Sequence, residues 1–180
     1  MRKNLEIKIP VENLNLLKDK IKSYVITHPT HQHLYENQVD TYFIIPKNGR
    51  LKLRIINNTV GFLIYYDRNE TRKQRTSRFL LSKTEDPEEL ELILKKFFTV
   101  KIIVKKWREI FITGGLRFHL DEVENLGKFL EIEIAYEKIS SAKARLASLI
   151  KYLQLDSKKF INASYSDLLI LNKNKYATKI

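Results

Sequence analysis

Apolar residues alternate with charged ones in several short segments of this chain, and this alternation constrains the fold more than any other feature. The segment NLEIKIPV begins at residue 4 and sets Glu6 and Lys8 on the opposite side of a strand from its apolar residues. GRLKLRII at 49–56 and KFLEIEIAYE at 128–137 repeat the pattern. A period of two is typical of β-strands, so we predict a sheet whose two faces differ sharply in polarity.

Helix-capping residues and apolar spacing predict three helices between the strands. Residues 14–25 carry apolar side chains three to four positions apart, and Asp86 followed by Pro87 is typical of the start of a second helix. A third helix is expected over about 140–153. Residues 27–38, which hold three of the four histidines, are predicted to form a loop.

Strands are predicted from the alternation and from turn signals such as Gly114-Gly115. They cover residues 4–10, 40–46, 49–56, 60–68, 99–112, 116–124 and 128–137. Hairpin connections stand where parallel strands would need helical crossovers, so we expect an α+β fold with a mostly antiparallel sheet. The length favours a single domain over 1–180, with a basic C-terminal helix and tail over about 138–180.

The composition favours a globular protein with a polyanionic partner. The chain has a formal net charge of +12, 43% hydrophobic residues and no cysteine. The charge favours nucleic acid, an anionic membrane surface or phosphorylated small molecules as partners. The lack of cysteine excludes disulfides and thiolate metal sites, and no apolar run approaches the roughly 20 residues of a membrane-spanning helix. We therefore expect a soluble, cytoplasmic protein.

Long charged side chains recur on one face of five predicted strands. By parity the groups are Glu6 with Lys8; Arg50 with Lys52 and Arg54; Lys106 with Arg108; Arg117 with His119 and Asp121; and Glu131 with Glu133. A single charged face is ordinary for a strand in water, but recurrence in blocks of one sign favours an enclosed surface such as a barrel lumen. Trp107 falls on the opposite face, where we predict a core aromatic.

These residue types favour a particular ligand chemistry. Carboxylate oxygens without cysteine are typical of Mg²⁺ or Mn²⁺ sites, and Mg²⁺ is commonly held by one or two carboxylates plus substrate phosphates. Lysine and arginine bind phosphate oxygens. A triphosphate chain, with about four negative charges, fits this combination of signs.

Several motifs resemble one family in chain order from about residue 2 to 170. They are NLEIKIPV, GRLKLR, VKKWREIF, HLDEVENLGKFLEIEI and SYSDLL. Together they are similar to the CYTH domain, also called the triphosphate tunnel metalloenzyme family. That family includes class IV adenylyl cyclases, thiamine triphosphatases and inorganic triphosphatases. The resemblance implies an antiparallel eight-stranded closed β-barrel with flanking helices, whose lumen binds a triphosphate through basic residues and a divalent metal through acidic ones.

The resemblance and the parity groups together give the candidate site residues. The metal-binding candidates are Glu6, Asp121, Glu131 and Glu133. The substrate-binding candidates are Lys8, Lys52, Arg54, Arg68, Arg78, Lys106, Arg108 and Arg117. Lys8, Lys106 and Arg108 are also the catalytic candidates. Tyr165 in SYSDLL is expected either to close the tunnel or to contact substrate.

One position departs from the family pattern. Glu6 and Lys8 match the last two members of the N-terminal Glu-x-Glu-x-Lys signature, but Asn4 stands in place of its first glutamate. An amide oxygen can bind a hard cation without contributing charge, so this change puts metal affinity and catalysis in doubt.

We expect a Mg²⁺- or Mn²⁺-dependent enzyme whose partner is a triphosphate-bearing small molecule. With water as the attacking group, tripolyphosphate or thiamine triphosphate would be hydrolysed. With the 3′-hydroxyl of ATP as the attacking group, ATP would be cyclised to cAMP, which requires an adenosine pocket that the sequence does not locate. The alternative is a non-catalytic protein that binds polyphosphate, a phosphorylated ligand or RNA.

Overall fold

The computed structural model describes residues 3–28, 30–46, 49–67 and 78–177. The strands are β1 (Lys3–Pro10), β2 (His31–Phe43), β3 (Arg50–Ile56), β4 (Val60–Asp67), β5 (Arg78–Thr84), β6 (Val100–Thr113), β7 (Leu116–Val123) and β8 (Gly127–Tyr136). The helices are α1 (Leu14–Ile26), α2 (Pro87–Phe97), α3 (Ile139–Leu153) and α4 (Tyr165–Ala177), with a 3₁₀ turn at Ser157–Lys159.

The eight strands form one sheet in the order β1-β8-β7-β6-β2-β3-β4-β5. The pairings β1–β8, β2–β3, β3–β4, β4–β5 and β7–β8 are antiparallel. The α+β class and the eight antiparallel strands are therefore confirmed. The order runs from β1 to β5, and within the described ranges no pairing joins these two strands, which is the one difference from the expected closed barrel.

Turn chemistry and capping act as the sequence predicts. Asn57 and Asn58 both adopt positive φ, at 52° and 57°, between β3 and β4. Gly114 and Gly115 do so between β6 and β7, at 47° and 73°. Positive φ is open to glycine and asparagine at little cost, so these residues set the hairpin registers. At α2 the Asp86 side chain accepts a hydrogen bond from a first-turn backbone N–H.

Three parts of the predicted element order were wrong. Helix α4 (Tyr165–Ala177) was not predicted, because its apolar residues at 168–171 are consecutive and give no helical period. β2 begins at His31, inside the segment predicted as a loop, because its first five residues are all exposed and so show no apolar alternation. β5 was missed for a related reason, since Leu80 and Leu81 are adjacent and both exposed, at 73% and 52%. A strand without one buried face gives no period-two signal.

The chain divides into two compact units, and β2 and β6 contribute residues to both. The first unit comprises Met1–Glu36 and Trp107–Ala163. Its core is formed by the apolar faces of β1, β7 and β8 packed with α1 and α3. The buried members include Ile9, Ile21, Phe118, Leu130, Ile132 and Leu149.

The second unit comprises Asn37–Lys106 and Ser164–Ile180. Its core contains Phe43, Leu53 and Leu94, with Leu51, Ile55, Leu63, Leu90, Phe98 and Val100 packed around them. In β3 the core side chains are the odd-numbered ones, so the even-numbered Arg50, Lys52 and Arg54 lie on the other face. The single-domain organisation stays a prediction.

Trp107 was predicted to be a core aromatic, and this was wrong. Its side chain is 64% exposed, whereas Lys106 and Arg108 on either side are buried, at 3% and 8% exposed. On β6 the charged face is the enclosed one, and the face that carries Trp107 is open to solvent. None of the helices in the described part of the chain has the length and apolarity needed to cross a membrane.

Candidate functional site

The sheet register of the first unit brings the predicted charged residues together in rows. Lys8 on β1 lies opposite Glu131 on β8, which lies opposite His119 on β7. In the next row Glu133 lies between Glu6 and Arg117. Because directly opposite residues of antiparallel strands share a face, the parity grouping of these strands is borne out by the register.

Five residues form what we call the first ion cluster: Lys8, Arg108, His119, Asp121 and Glu131, all at most 8% exposed. Arg108 donates from Nε to Asp121 Oδ1 at 2.6 Å, and its Nη2 donates to both Asp121 and Glu131. The Lys8 ammonium lies 2.8 Å from Glu131 Oε1 and also donates to the Ala163 carbonyl at 3.2 Å. Such short, charge-assisted contacts are what buried charges require.

The pKa of Glu131 is set by this cluster. Burial raises it, but His119, Arg108 and Lys8 outweigh burial and hold the pKa well below its ordinary value. The side chain is therefore ionised, and each of its oxygens already receives a cation. His119 Nδ1 lies 3.6 Å from Glu131 Oε2, beyond hydrogen-bond reach, and among the described residues it is buried without a hydrogen-bond partner.

The four metal-binding candidates fall into two different environments. Asp121 and Glu131 are buried and bound by Arg108. Glu6 and Glu133 are directly opposite one another on β1 and β8, where Glu6 is exposed and the Glu133 side chain is 22% exposed. Two carboxylates placed opposite one another repel, and a shared cation relieves that repulsion.

A divalent metal needs oxygen ligands that converge on one point. In the described ranges no three histidine or acidic residues converge as a set of metal ligands. The pair Glu6 and Glu133 nonetheless fits a Mg²⁺ or Mn²⁺ ion of the kind that takes its remaining ligands from water and substrate phosphates. Arg117, predicted to bind substrate, lies 3.5 Å from Glu133 with its side chain 47% exposed.

A second ion cluster lies in the second unit and consists of Asp40, Lys52, Arg54 and Lys106. Lys52 Nζ donates to Asp40 Oδ2 at 2.9 Å, and Arg54 Nε donates to Asp40 Oδ1 at 2.6 Å. Lys106 Nζ is 3.4 Å from the same carboxylate. Asp40, Lys52 and Lys106 are each at most 3% exposed. One buried carboxylate thus accepts from three cationic side chains.

This arrangement shifts pKa values in both directions. Burial raises the pKa of Asp40, but Arg54, Lys106 and Lys52 hold it well below its ordinary value. The pKa of Lys52 falls from 10.5 to about 7, chiefly through burial, with repulsion from Arg54 and Lys106 adding to the effect of burial. Because folded Lys52 binds fewer protons than unfolded Lys52 between these pH values, this group makes the unfolding free energy rise with pH there.

Two further groups of the second unit border this cluster. The Lys106 ammonium lies 5.7 Å from the ring centroid of Tyr165, which is 7% exposed. Arg50 donates from Nη1 to Ser164 Oγ at 2.7 Å and forms an ion pair with Asp167. The Arg50 contacts hold the first turn of α4 against β3. The role of Tyr165 stays a prediction.

Two residues of these clusters and their surroundings were not predicted as site residues. Two predicted substrate-binding residues have side chains outside the described part of the structure. Asp40 was overlooked because the strand was predicted to start there, although it lies mid-strand opposite Arg54. The available signal was that Asp40 and Tyr42 are two residues apart and so share one face of the strand. Arg68 lies outside the described residues, and of Arg78 only the backbone, at the start of β5, is described. Arg50 was grouped by parity but not proposed as a site residue.

Comparisons with known proteins agree with this geometry. The model of the CYTH domain family matches residues 2–165. A Methanocaldococcus jannaschii protein named "putative adenylate cyclase" is 26% identical over 172 residues, which are 91% of this chain and 97% of that protein.

Solved structures give the same result for the fold. A Pyrococcus horikoshii OT3 protein superposes with a TM-score of 0.77 at 27% identity, over 93% of this chain and 99% of that one. A Vibrio parahaemolyticus protein, also titled a "putative adenylate cyclase", has a TM-score of 0.73 at 20% identity, over 93% and 98% of the two chains. At that identity the second likeness concerns the fold alone.

Replacing the shared carboxylate of the second ion cluster should destabilise the protein. Asp40→Asn keeps the size of the side chain but removes the charge that three cations share, so we expect the unfolding free energy to fall by about 3–5 kcal/mol. Urea denaturation at pH 7 measures this. Asp19→Asn, which makes the same charge change on an exposed helix position, should alter stability by less than about 0.5 kcal/mol. Equal effects of the two variants would contradict the role given to Asp40.

Proposed function

Since this chain belongs to the CYTH domain family, we propose that it is a divalent-metal-dependent enzyme that acts on a triphosphate-bearing substrate. The observation that carries the proposal is the second ion cluster, in which Lys52, Arg54 and Lys106 all donate to Asp40. Burying a lysine contributes little to folding stability, and lysines are almost never fully buried unless a partner stabilises them. A cluster of buried cations therefore favours a binding role.

The lowered pKa of Lys52 supports an anionic ligand at this cluster. A pKa of about 7 means that Asp40 does not fully offset the combined effect of burial and of Arg54 and Lys106. A phosphate bound beside Lys52 would favour its charged form and so add the stabilisation that the protein alone does not supply. Lysine offers phosphate oxygens a compact positive charge, and arginine offers them paired N–H donors.

Glu6 and Glu133 are the residues that would hold a metal in this enzyme, because they lie opposite one another on β1 and β8 and are more exposed than Asp121 and Glu131. A bound Mg²⁺ or Mn²⁺ would neutralise phosphate charge and stabilise the leaving oxygen. Asn4 lies on the same side of β1 as Glu6 and lacks the charge of the family's glutamate. Metal affinity in this protein therefore depends on two carboxylates and on the phosphates of the substrate.

Basic residues of each unit are assigned to phosphate binding. They are Lys8 and Arg108 in the first unit, and Lys52, Arg54 and Lys106 in the second. Lys8, Lys106 and Arg108 would also stabilise negative charge that develops on a phosphoryl group.

Two reactions fit these roles. In hydrolysis a water oxygen attacks the terminal phosphorus and the bond from that phosphorus to the bridging oxygen breaks. The products are inorganic phosphate and a chain that is one phosphate shorter. In cyclisation the 3′-hydroxyl oxygen of ATP attacks the α-phosphorus, and pyrophosphate leaves. The adenylate cyclase name of the M. jannaschii relative favours the second reaction, whereas the first needs only the phosphate chain. A cytoplasmic location stays a prediction.

A second candidate function is a non-catalytic protein that binds polyphosphate or another phosphorylated ligand. Asn4 and the engagement of Asp121 and Glu131 by Arg108 favour it, because both features leave fewer carboxylates for a metal. RNA is a further candidate on the net charge of +12, and a steep salt dependence of RNA affinity would identify it.

The first test measures tripolyphosphate binding by calorimetry. Lys52→Met keeps the length and apolar stem but removes a charged hydrogen bond worth about 1.5–3 kcal/mol, so affinity should fall by about 10- to 150-fold. Lys105→Met is the matched control, because Lys105 carries the same charge on the exposed face of β6. Equal loss in both variants would show a general charge effect and would contradict a specific phosphate site.

The second test measures turnover of tripolyphosphate, thiamine triphosphate and ATP, with Mg²⁺ and with Mn²⁺. We expect release of phosphate or pyrophosphate from at least one substrate. Glu133→Gln should raise the metal concentration for half-maximal rate by about tenfold or more, since one of two ligand charges is lost. Glu122→Gln, exposed on β7, should leave it unchanged. No turnover of any substrate, with tripolyphosphate affinity retained, would establish the non-catalytic alternative instead.

A further inference from the structure

One side chain of the first ion cluster has an unused hydrogen-bonding atom. The His119 side chain is 7% exposed, and its Nδ1 is buried without a hydrogen-bond partner among the described residues. Buried polar atoms are nearly always hydrogen-bonded, because an unmet donor or acceptor costs stability. An unpartnered nitrogen at this place therefore points to a bond that forms in another state of the protein.

The atom that His119 faces is a carboxylate oxygen of Glu131. The two residues lie directly opposite one another in the β7–β8 register. His119 Nδ1 is 3.6 Å from Glu131 Oε2, whereas an N–H···O hydrogen bond is about 2.9 Å long. A shift of less than about 1 Å would form the bond. Burial raises the pKa of Glu131, and His119 is foremost among the groups that lower it.

Arg108 donates to the same oxygen of Glu131 in this structure. Its Nη2 donates to Glu131 Oε2 and to Asp121 Oδ2, and its Nε donates to Asp121 Oδ1. The two bonds to Asp121 form a bidentate pair, which is the stronger of the two attachments. The single bond to Glu131 is therefore the one that Arg108 gives up when its Nη2 binds a phosphate oxygen.

Loss of the Arg108 bond would leave a buried charge without one of its donors. Glu131 is only 6% exposed, and removing one partner from a buried ion pair is costly. Its other oxygen is held by Lys8 at 2.8 Å, and Lys8 is itself assigned to phosphate binding. His119 Nδ1 can take over the vacated position without breaking a hydrogen bond to any other described residue.

We infer that His119 is a positioning residue, whose Nδ1–H replaces Arg108 as the donor to Glu131 Oε2 when Arg108 binds the phosphates of the substrate. The inference rests on the proposed function and extends it to a side chain that does not touch the phosphates. The Nδ1–H tautomer of neutral histidine and the charged imidazolium both carry the required proton. The exchange lowers the cost of freeing Arg108 and so raises the affinity for a phosphate chain.

The test is calorimetric binding of tripolyphosphate to the full chain and three variants at fixed salt, metal and pH. His119→Leu removes the donor, so affinity should fall by about tenfold or more. His119→Asn has nearly the shape of leucine but carries an amide N–H close to the position of Nδ1, so it should keep affinity within about threefold. His31→Leu, the control at an exposed histidine of β2, should change affinity by less than about twofold.

NMR of the wild-type protein with isotopically labelled histidine is an independent measurement if His119→Leu does not fold, as circular dichroism will show. His119 Nδ1, assigned by comparison with His119→Asn, should carry a proton whose exchange with water slows in the tripolyphosphate complex. An Nδ1 without a proton in the complex would overturn the inference and leave the proposed function standing. Full affinity in His119→Leu, or equal losses in the leucine and asparagine variants, would do the same. Failure of the wild type to bind tripolyphosphate would contradict the proposed function and the inference with it.

Discussion

The hydrogen bonds of three cationic side chains to one buried carboxylate constrain this structure more than any other interaction. Asp40 accepts hydrogen bonds from Lys52, Arg54 and Lys106. Asp40, Lys52 and Lys106 are each only 2–3% exposed. Buried charges of like sign destabilise a fold unless a buried group of opposite charge compensates them. The apolar core lies on the opposite face of β3, and Asp40 lies opposite Arg54 in the β2–β3 register.

The acidic residues of the first unit have different roles that their sequence positions do not reveal. Glu131 and Glu133 are two residues apart, yet Glu131 is enclosed by Lys8 and Arg108, whereas Glu133 is partly open and lies opposite Glu6. Under the proposed function, Glu131 fixes Arg108 for a phosphate contact, and Glu133 with Glu6 favours a cation. Asn4 supplies no third acid beside them.

Much of this could be predicted from the sequence, because strand parity is local. The rows that contain Lys8, Glu131 and His119 follow from period-two alternation once the strands are recognised. The prediction failed where burial was not local. Asp40 was missed since the exposed first half of β2 has no alternation, and Trp107 was wrongly assigned to the core because the charged face of β6 is the enclosed one. The contact of α4 with β3 through Arg50 and Asp167 was not predicted either, because it joins residues distant in sequence.

The protonation of Lys52 gives the most direct measurement of the central claim that the second ion cluster is built for a polyphosphate. Heteronuclear NMR of the Lys52 side chain, assigned by comparison with Lys52→Met, yields its pKa with and without saturating tripolyphosphate. The account predicts a pKa of about 7 in the protein alone and a clear rise on binding, because the anion favours the ammonium. An ordinary pKa near 10.5 that tripolyphosphate leaves unchanged would contradict it.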